Sequence, residues 1–157
     1  MLERAPHIVS INISPGGIPK LPVKRLHVSI NGLDGDGHNH EKHRTPIQAV
    51  CLQDVERLDE LNREGYRLVP GATGENLTVA NLNVNALPVG TQLKFSNGVV
   101  VELTKVRKPC YVLDAISPRL KEDLVGRCGI YAKVIRDGVL SDAETIAVAE
   151  PLSCQAA

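Results

Sequence analysis

The chain has 157 residues, 43% of them hydrophobic and 23% charged, which supplies enough apolar surface for a buried core and too little charge for a disordered chain. Its 18 basic and 18 acidic side chains cancel and only 3% of residues are aromatic, so the sequence offers neither a positive field for nucleic acid or an anionic membrane nor a stacking platform for bases. Met1 to Gly17 lack the basic segment and apolar run of a signal peptide, and no apolar run approaches membrane-spanning length. A cytoplasmic single domain over residues 1–157, with its last few residues a frayed tail, is therefore expected.

In chain order, His7 to Ile13 alternates apolar and polar residues and is predicted as a first strand, broken by Pro15, Gly16 and Gly17. Val23 to Ile30 reads as a second half-buried strand ending at Asn31 and Gly32. A loop rich in glycine and histidine follows. Ile47 to Leu52 has the continuous apolar character of a buried strand, which places Cys51 in the core. From Gln53 to Glu64, Val55, Leu58 and Leu61 recur at helical spacing among charged residues, with Gly65 as the cap. Thr91 to Ser96 and Val99 to Val106 flank Asn97 and Gly98, a pair suited to a two-residue type I′ turn. Ser117 and Pro118 open a short helix to about Leu124, and Ile130 to Ile135 and Thr145 to Ala149 complete the strands. Many short strands with two brief helices favour a mainly antiparallel β-barrel over a doubly wound sheet.

The four cysteines, Cys51, Cys110, Cys128 and Cys154, are widely spaced with no CxxC pair, which argues against a zinc ribbon or thioredoxin-like site. Cys110 follows Arg107, Lys108 and Pro109. The proline ends a strand, and the two cations favour the thiolate, the form that attacks, carries sulfur or ligates a soft metal. Cys128, beside Arg127, ranks second. A small buried hydrophobe is the alternative reading of any such cysteine.

Between Gly32 and Arg44 the sequence concentrates glycines, Asp34, Asp36, His38, His40 and His43. An anion-binding loop carrying His43 and Arg44, a divalent-metal site and a solvated loop are all open on this pattern. In the segment Val69 to Val79, the Glu75 carboxylate next to Gly74 is expected to accept backbone N–H bonds and organise a turn, while Asn76 is a candidate ligand contact.

Three segments, Gly32-Leu-Asp-Gly-Asp36, Pro70-Gly-Ala-Thr-Gly-Glu-Asn-Leu-Thr78 and Lys108-Pro-Cys110, resemble the MOSC domain family in the same order, and Gly-Glu-Asn-Leu is the most specific of them. Ser14 to Val23 and Ile130 to Ile135 also resemble stand-alone bacterial members. The resemblance implies a mainly β fold, a MOSC-like closed or partly closed barrel of mostly antiparallel strands with a few short helices. It also implies a role in molybdenum cofactor sulfuration, sulfur carriage or molybdenum-dependent reduction. Cys110 would ligate molybdenum if the cofactor binds, or hold a persulfide received from a cysteine desulfurase partner for a cofactor-accepting enzyme. Pyridoxal phosphate would sit only on that partner. Arg107, Lys108, His43, Arg44 and Asn76 would line the pocket for a small anionic ligand. Where many stand-alone relatives carry His-His-Gly-Gly-Pro-Asp-Arg/Lys-Ala-Val, this chain has Lys42-His-Arg-Thr-Pro-Ile-Gln-Ala-Val50, so its ligand loop departs from theirs. A non-catalytic binding module on the same barrel is the alternative function.

Overall fold

A computed structural model describes residues 4–37 and 45–151. In chain order these form β1 (His7–Ile13), β2 (Leu21–Val23), β3 (Arg25–Ser29), β4 (Gly32–Leu33), β5 (Val50–Asp54), α1 (Val55–Arg63), β6 (Leu77–Ala80), β7 (Gln92–Phe95), β8 (Val100–Val106), α2 (Leu120–Asp123), β9 (Ile130–Arg136), β10 (Gly138–Ser141) and β11 (Ile146–Ala149). Single 3-10 turns cover Pro46–Gln48, Val84–Ala86 and Tyr111–Ala115.

Eight strands share one sheet in the order β11-β7-β8-β9-β5-β6-β1-β2, and β10-β3-β4 form a second, three-stranded sheet. Every paired neighbour is antiparallel except β5 and β6, which the helical crossover α1 joins in parallel. The mainly β, mostly antiparallel expectation holds, but the closed barrel does not form. The β1 and β11 ends approach at a single bridge, His7 to Thr145, rather than along a continuous ladder.

Strand alternation divides the apolar residues, with the irregularity between Ile8 and Ser10 bringing both Ile8 and Ile11 of β1 to the same face. Ile8, Ile11, Val50, Leu52, Leu77, Val79, Val101, Leu103, Ile130, Ala132 and Val134 all point to the main core. A smaller cluster lies beneath the helices, where Leu58 and Leu61 of α1 meet Leu68, Leu113, Leu120, Leu124 and Cys128.

Local differences from the sequence reading have local causes. The expected strand Val23 to Ile30 is split, because β2 pairs with β1 whereas β3 leaves for the second sheet. The expected strand Ile47 to Leu52 begins only at Val50, since Pro46 at the first position of a turn initiates a 3-10 segment. The β7–β8 hairpin is present, but its turn is not type I′. Only Gly98 takes a positive φ, +106°, and its N–H donates to Phe95 O at 2.9 Å, so a three-residue loop with a glycine bulge replaces the two-residue turn. The helix expected from Ser117 starts at Leu120, preceded by the 3-10 turn, and β4 and β10 were not anticipated. No helix among the described residues is long and apolar enough to cross a membrane.

Candidate functional site

The face of the sheet opposite the main core carries a row of side chains. Register places Lys105 of β8 opposite Tyr131 of β9, and Tyr131 opposite Cys51 of β5. Asn76, just before β6, continues the row: its backbone N–H donates to Cys51 O at 2.8 Å, and its Oδ1 accepts the Cys51 N–H at 2.9 Å. All four residues line a cleft of about 470 Å³, within the roughly 300–1,000 Å³ range of small-ligand sites.

The walls are the loops that the sequence singled out. Gly74 and Asn76 come from the loop before β6; Arg107, Lys108 and Cys110 come from the end of β8; Gly17, Ile18 and Lys20 come from the loop after β1. Strand β8 ends at Val106, and the Arg107 N–H makes one more bond to Gly129 O at 3.1 Å before Pro109 interrupts the pattern. Cys110 therefore stands outside the ladder, half-buried, in extended backbone that caps the 3-10 turn Tyr111–Ala115.

Three of the motif segments are tied together by Asp36. Its Oδ1 accepts from Lys20 Nζ at 2.5 Å and from the Ser14 N–H at 3.1 Å, while Oδ2 accepts from Asn76 Nδ2 at 2.9 Å. Asn76 Nδ2 also reaches Asn12 O at 3.3 Å, so the Asn76 amide is engaged by the protein itself on both sides. Asn76 thus lines the cleft with its amide held in place by the protein itself. Glu75 is fully buried and points away from the cleft. Its Oε2 accepts from the Gly71 N–H at 3.0 Å and Thr78 Oγ1 at 2.8 Å, and its Oε1 accepts from Thr73 Oγ1 at 2.8 Å.

Arg107 is 8% exposed. Its Nη2 donates to Thr73 O at 2.6 Å, which is feasible because Gly74, at φ +95°, has no Cβ; one would lie 3.3 Å from Nη2 and 3.0 Å from Ile18 Cγ2. Nη1 is buried without a hydrogen-bond partner among the described residues. The electrostatic neighbours of the guanidinium are Cys51, Cys128, Tyr131 and Glu75, and together these hold its proton more firmly than usual despite burial.

Burial pushes the Cys51 thiol up to about 11 against the opposing pull of Arg107, and it also pushes Cys128 up. Both thiols are protonated at neutral pH. Cys51 is buried as expected, yet it lies on the cleft side of the sheet rather than in the main core. Cys128 belongs to the smaller apolar cluster and does not line the cleft. Cys110 is the reachable one of the three.

The charged side chains lining the cleft are Lys20, Lys105, Arg107 and Lys108, with no carboxylate among the described lining residues. Lys20 is paired with Asp36, whereas among the described residues Lys105, Lys108 and Arg107 form no salt bridge, with Glu75 the carboxylate whose charge Arg107 feels. His43, Arg44, His38, His40 and Cys154 lie outside the described residues. Among the described residues no group of three or more His, Cys, Asp or Glu side chains is placed to hold a metal ion. The sequence reading missed Lys20, Lys105 and Tyr131. The alternation of Ile130, Ala132 and Val134 with Tyr131 and Lys133 carried the signal for Tyr131, because it puts that side chain on the face opposite the core.

Residues 39–151 match the MOSC domain. The chain belongs to this family. Among curated proteins it is 30% identical over 135 residues to the uncharacterized protein YflK of Bacillus subtilis, covering 80% of this chain and 59% of that protein. It is 28% identical over 132 residues to a protein named "Reductase" from Gibberella moniliformis, covering 78% of this chain and 23% of the relative. The MOSC chain thus spans less than two thirds of either relative. Among solved structures, YuaD of Bacillus subtilis superposes with TM-score 0.78 at 18% identity, covering 92% of this chain and 96% of that one. YiiM of Geobacillus stearothermophilus does so with TM-score 0.75 at 25% identity, covering 92% and 75%. The first of these likenesses concerns the fold alone.

Proposed function

We propose that this MOSC domain works in molybdenum-cofactor or sulfur metabolism, with the Cys110 thiolate as the reacting or ligating group in a cleft for an anionic ligand. The observation that carries the reading is the placement of a reachable thiol at a cleft whose charged lining is entirely cationic. A soft sulfur donor beside hard positive charge suits a ligand that is anionic overall and thiophilic at one centre.

The residues fit a molybdenum cofactor on three counts. Cys110 offers the soft ligand, Lys105 and Lys108 offer charge, and the unpartnered Nη1 of Arg107 is a buried donor still lacking an acceptor. Once bound, the cofactor would supply the electron-transfer chemistry of a reduction, in keeping with the name of the longer relative. The part of this chain is to anchor the ligand, to orient it through a wall fixed by Asp36, Asn76 and Glu75, and to keep Cys110 accessible. His43 and Arg44 are proposed as further ligand contacts on the sequence pattern.

The sulfur-carrier form uses the same thiol. Cys110 Sγ attacks the terminal sulfur of a persulfide on a cysteine desulfurase; the new S–S bond forms on Cys110 as the donor's S–S bond breaks, and the donor leaves as its thiolate. Pyridoxal phosphate belongs to the donor enzyme. Both forms are tested by Cys110→Ser, which is expected to abolish persulfide formation and molybdenum retention while leaving the circular dichroism and melting temperature unchanged. A folded variant with full loading of both would overturn the reading in favour of a non-catalytic anion-binding module.

A further inference from the structure

The cleft floor holds a second thiol, Cys51, which the function proposed above leaves unused. Cys51 and Cys110 both line the cleft, whereas Cys128 does not. The sheet fixes Cys51 in place: its N–H donates to Asn76 Oδ1 at 2.9 Å, its carbonyl accepts the Asn76 N–H at 2.8 Å, and register sets it opposite Tyr131 of β9. At 4% exposure it is closed to a bulky external partner, which leaves a group held in the cleft as what its sulfur can meet. Cys110 is held differently. It follows the end of β8 at Val106 and caps a 3-10 turn, so it can approach Cys51 without breaking a ladder hydrogen bond. A disulfide needs the two Cα atoms within about 7 Å of each other, and Cys110 is the partner whose backbone can make that approach.

We propose that Cys51 is the resolving thiol of Cys110: it attacks the Cys110 persulfide and releases the carried sulfur as hydrosulfide inside the cleft. This deepens the sulfur-carrier reading above and rests on it. Cys51 Sγ bonds to Cys110 Sγ as the bond from Cys110 Sγ to the terminal sulfur breaks. The terminal sulfur leaves with the electron pair of that bond and takes up the proton of Cys51, so an anionic persulfide and a thiol become a disulfide and HS⁻. Relative to the unloaded protein the two cysteines are oxidised, and the carried sulfur is reduced to sulfide. A dithiol reductant returns both thiols for the next cycle. The product suits its surroundings. The charged lining of Lys20, Lys105, Arg107 and Lys108 holds a small anion beside a ligand that is thiophilic at one centre.

The test uses the full chain in a Cys154→Ser background, loaded with cysteine persulfide, desalted, and followed by sulfide assay and by peptide mapping without reduction. The expected products are about one equivalent of hydrosulfide per loaded Cys110 and a disulfide joining Cys51 to Cys110. Cys51→Ala on this background is expected to keep the persulfide on Cys110 and to release hydrosulfide at least about tenfold more slowly. Cys51→Val, a second thiol-free variant that fills more of the volume, is expected to behave in the same way, so a packing defect in one variant does not decide the outcome. Cys128→Ala is expected to match the parent chain. If Cys110 never loads, the sulfur-carrier reading fails and the resolving role with it. If Cys110 loads but the parent chain keeps its persulfide, or forms its disulfide with Cys128, the resolving role alone is overturned and the carrier reading stands.

Discussion

Asn76 Nδ2 donates to Asp36 Oδ2 at 2.9 Å across 40 residues of sequence, and through this bond the Gly-Leu-Asp-Gly-Asp and Gly-Glu-Asn-Leu segments become one wall of the cleft. The other side of the same amide holds the Cys51 N–H at 2.9 Å. Asn76→Ala removes both interactions and leaves a backbone N–H unsatisfied within the protein. The expected cost is about 2–4 kcal/mol from urea unfolding, counting roughly 1–3 kcal/mol for each buried group left unpaired. Asn76→Asp should fare no better, because it sets a second carboxylate against Asp36. A loss below about 0.5 kcal/mol for Asn76→Ala would show that the wall does not depend on this amide.

Glu75 accepts three hydrogen bonds and donates none. In Glu75→Gln one of the two terminal atoms becomes an NH₂ donor, which must face either Thr73 Oγ1 or the Gly71 N–H and Thr78 Oγ1 pair. Facing the pair sets a donor against the Gly71 N–H, whereas facing Thr73 requires that hydroxyl to turn round. The substitution also removes the negative charge felt by buried Arg107. The expectation is a destabilisation of about 1–3 kcal/mol, accompanied by weaker anion binding as Arg107 and Thr73 shift. Unchanged stability would mean that the turn is held by its backbone alone.

The extent to which the sequence disclosed this site follows from what each residue type can do without its neighbours. The end of β8 was legible because Pro109 cannot continue a ladder, and the Glu75 turn because a carboxylate among glycines finds backbone N–H groups close by. The hydrogen bonds of Asn76 were not legible, since its partners Asp36, Asn12 and Cys51 are distant in sequence and only the sheet order brings them together. Cys51 shows the same limit from another direction. An apolar run gives no phase, so a buried strand cannot reveal which of its residues faces the main core and which faces a cleft. The open sheet in place of a closed barrel likewise depends on how the start of β1 meets the chain before β11, and no strand pattern encodes that.

Alkylation should separate the thiols by burial. Cys110 is half-buried in the cleft wall, whereas Cys51 and Cys128 are buried and held protonated at neutral pH. In a Cys154→Ser background, iodoacetamide at pH 7.5 followed by peptide mapping is expected to modify Cys110 at least about tenfold faster than either of the others. Sulfate at saturating concentration should slow the Cys110 reaction if ligand and reagent share the cleft. Faster labelling of Cys51 would move the reactive thiol to the cleft floor.

The last prediction concerns Asp54, at the N-terminus of α1. Its carboxylate does not cap its own helix; both oxygens instead accept the Val84 N–H, at 2.9 and 3.2 Å, pinning the 3-10 turn before β7. Burial nevertheless outweighs those bonds and pushes the acid up to about 6, with Glu56 adding to the rise. A carboxyl whose folded value exceeds its unfolded value of about 3.8 binds more protons in the folded state between these limits. Its contribution to stability is therefore unfavourable above pH 6, diminishes as the pH falls through 6, and is gone below about pH 4. Asp54→Asn keeps an oxygen acceptor for Val84 without the buried charge. The variant is expected to be more stable than the wild type at pH 7.5, with the difference shrinking towards pH 4.5 by up to about 1.4 kcal/mol per pH unit within the titration window. Chemical denaturation of both proteins at pH 4.5, 6.0 and 7.5 measures this directly. A variant less stable than the wild type at pH 7.5 would mean that the charged carboxylate holds the Val84 turn more strongly than burial opposes it.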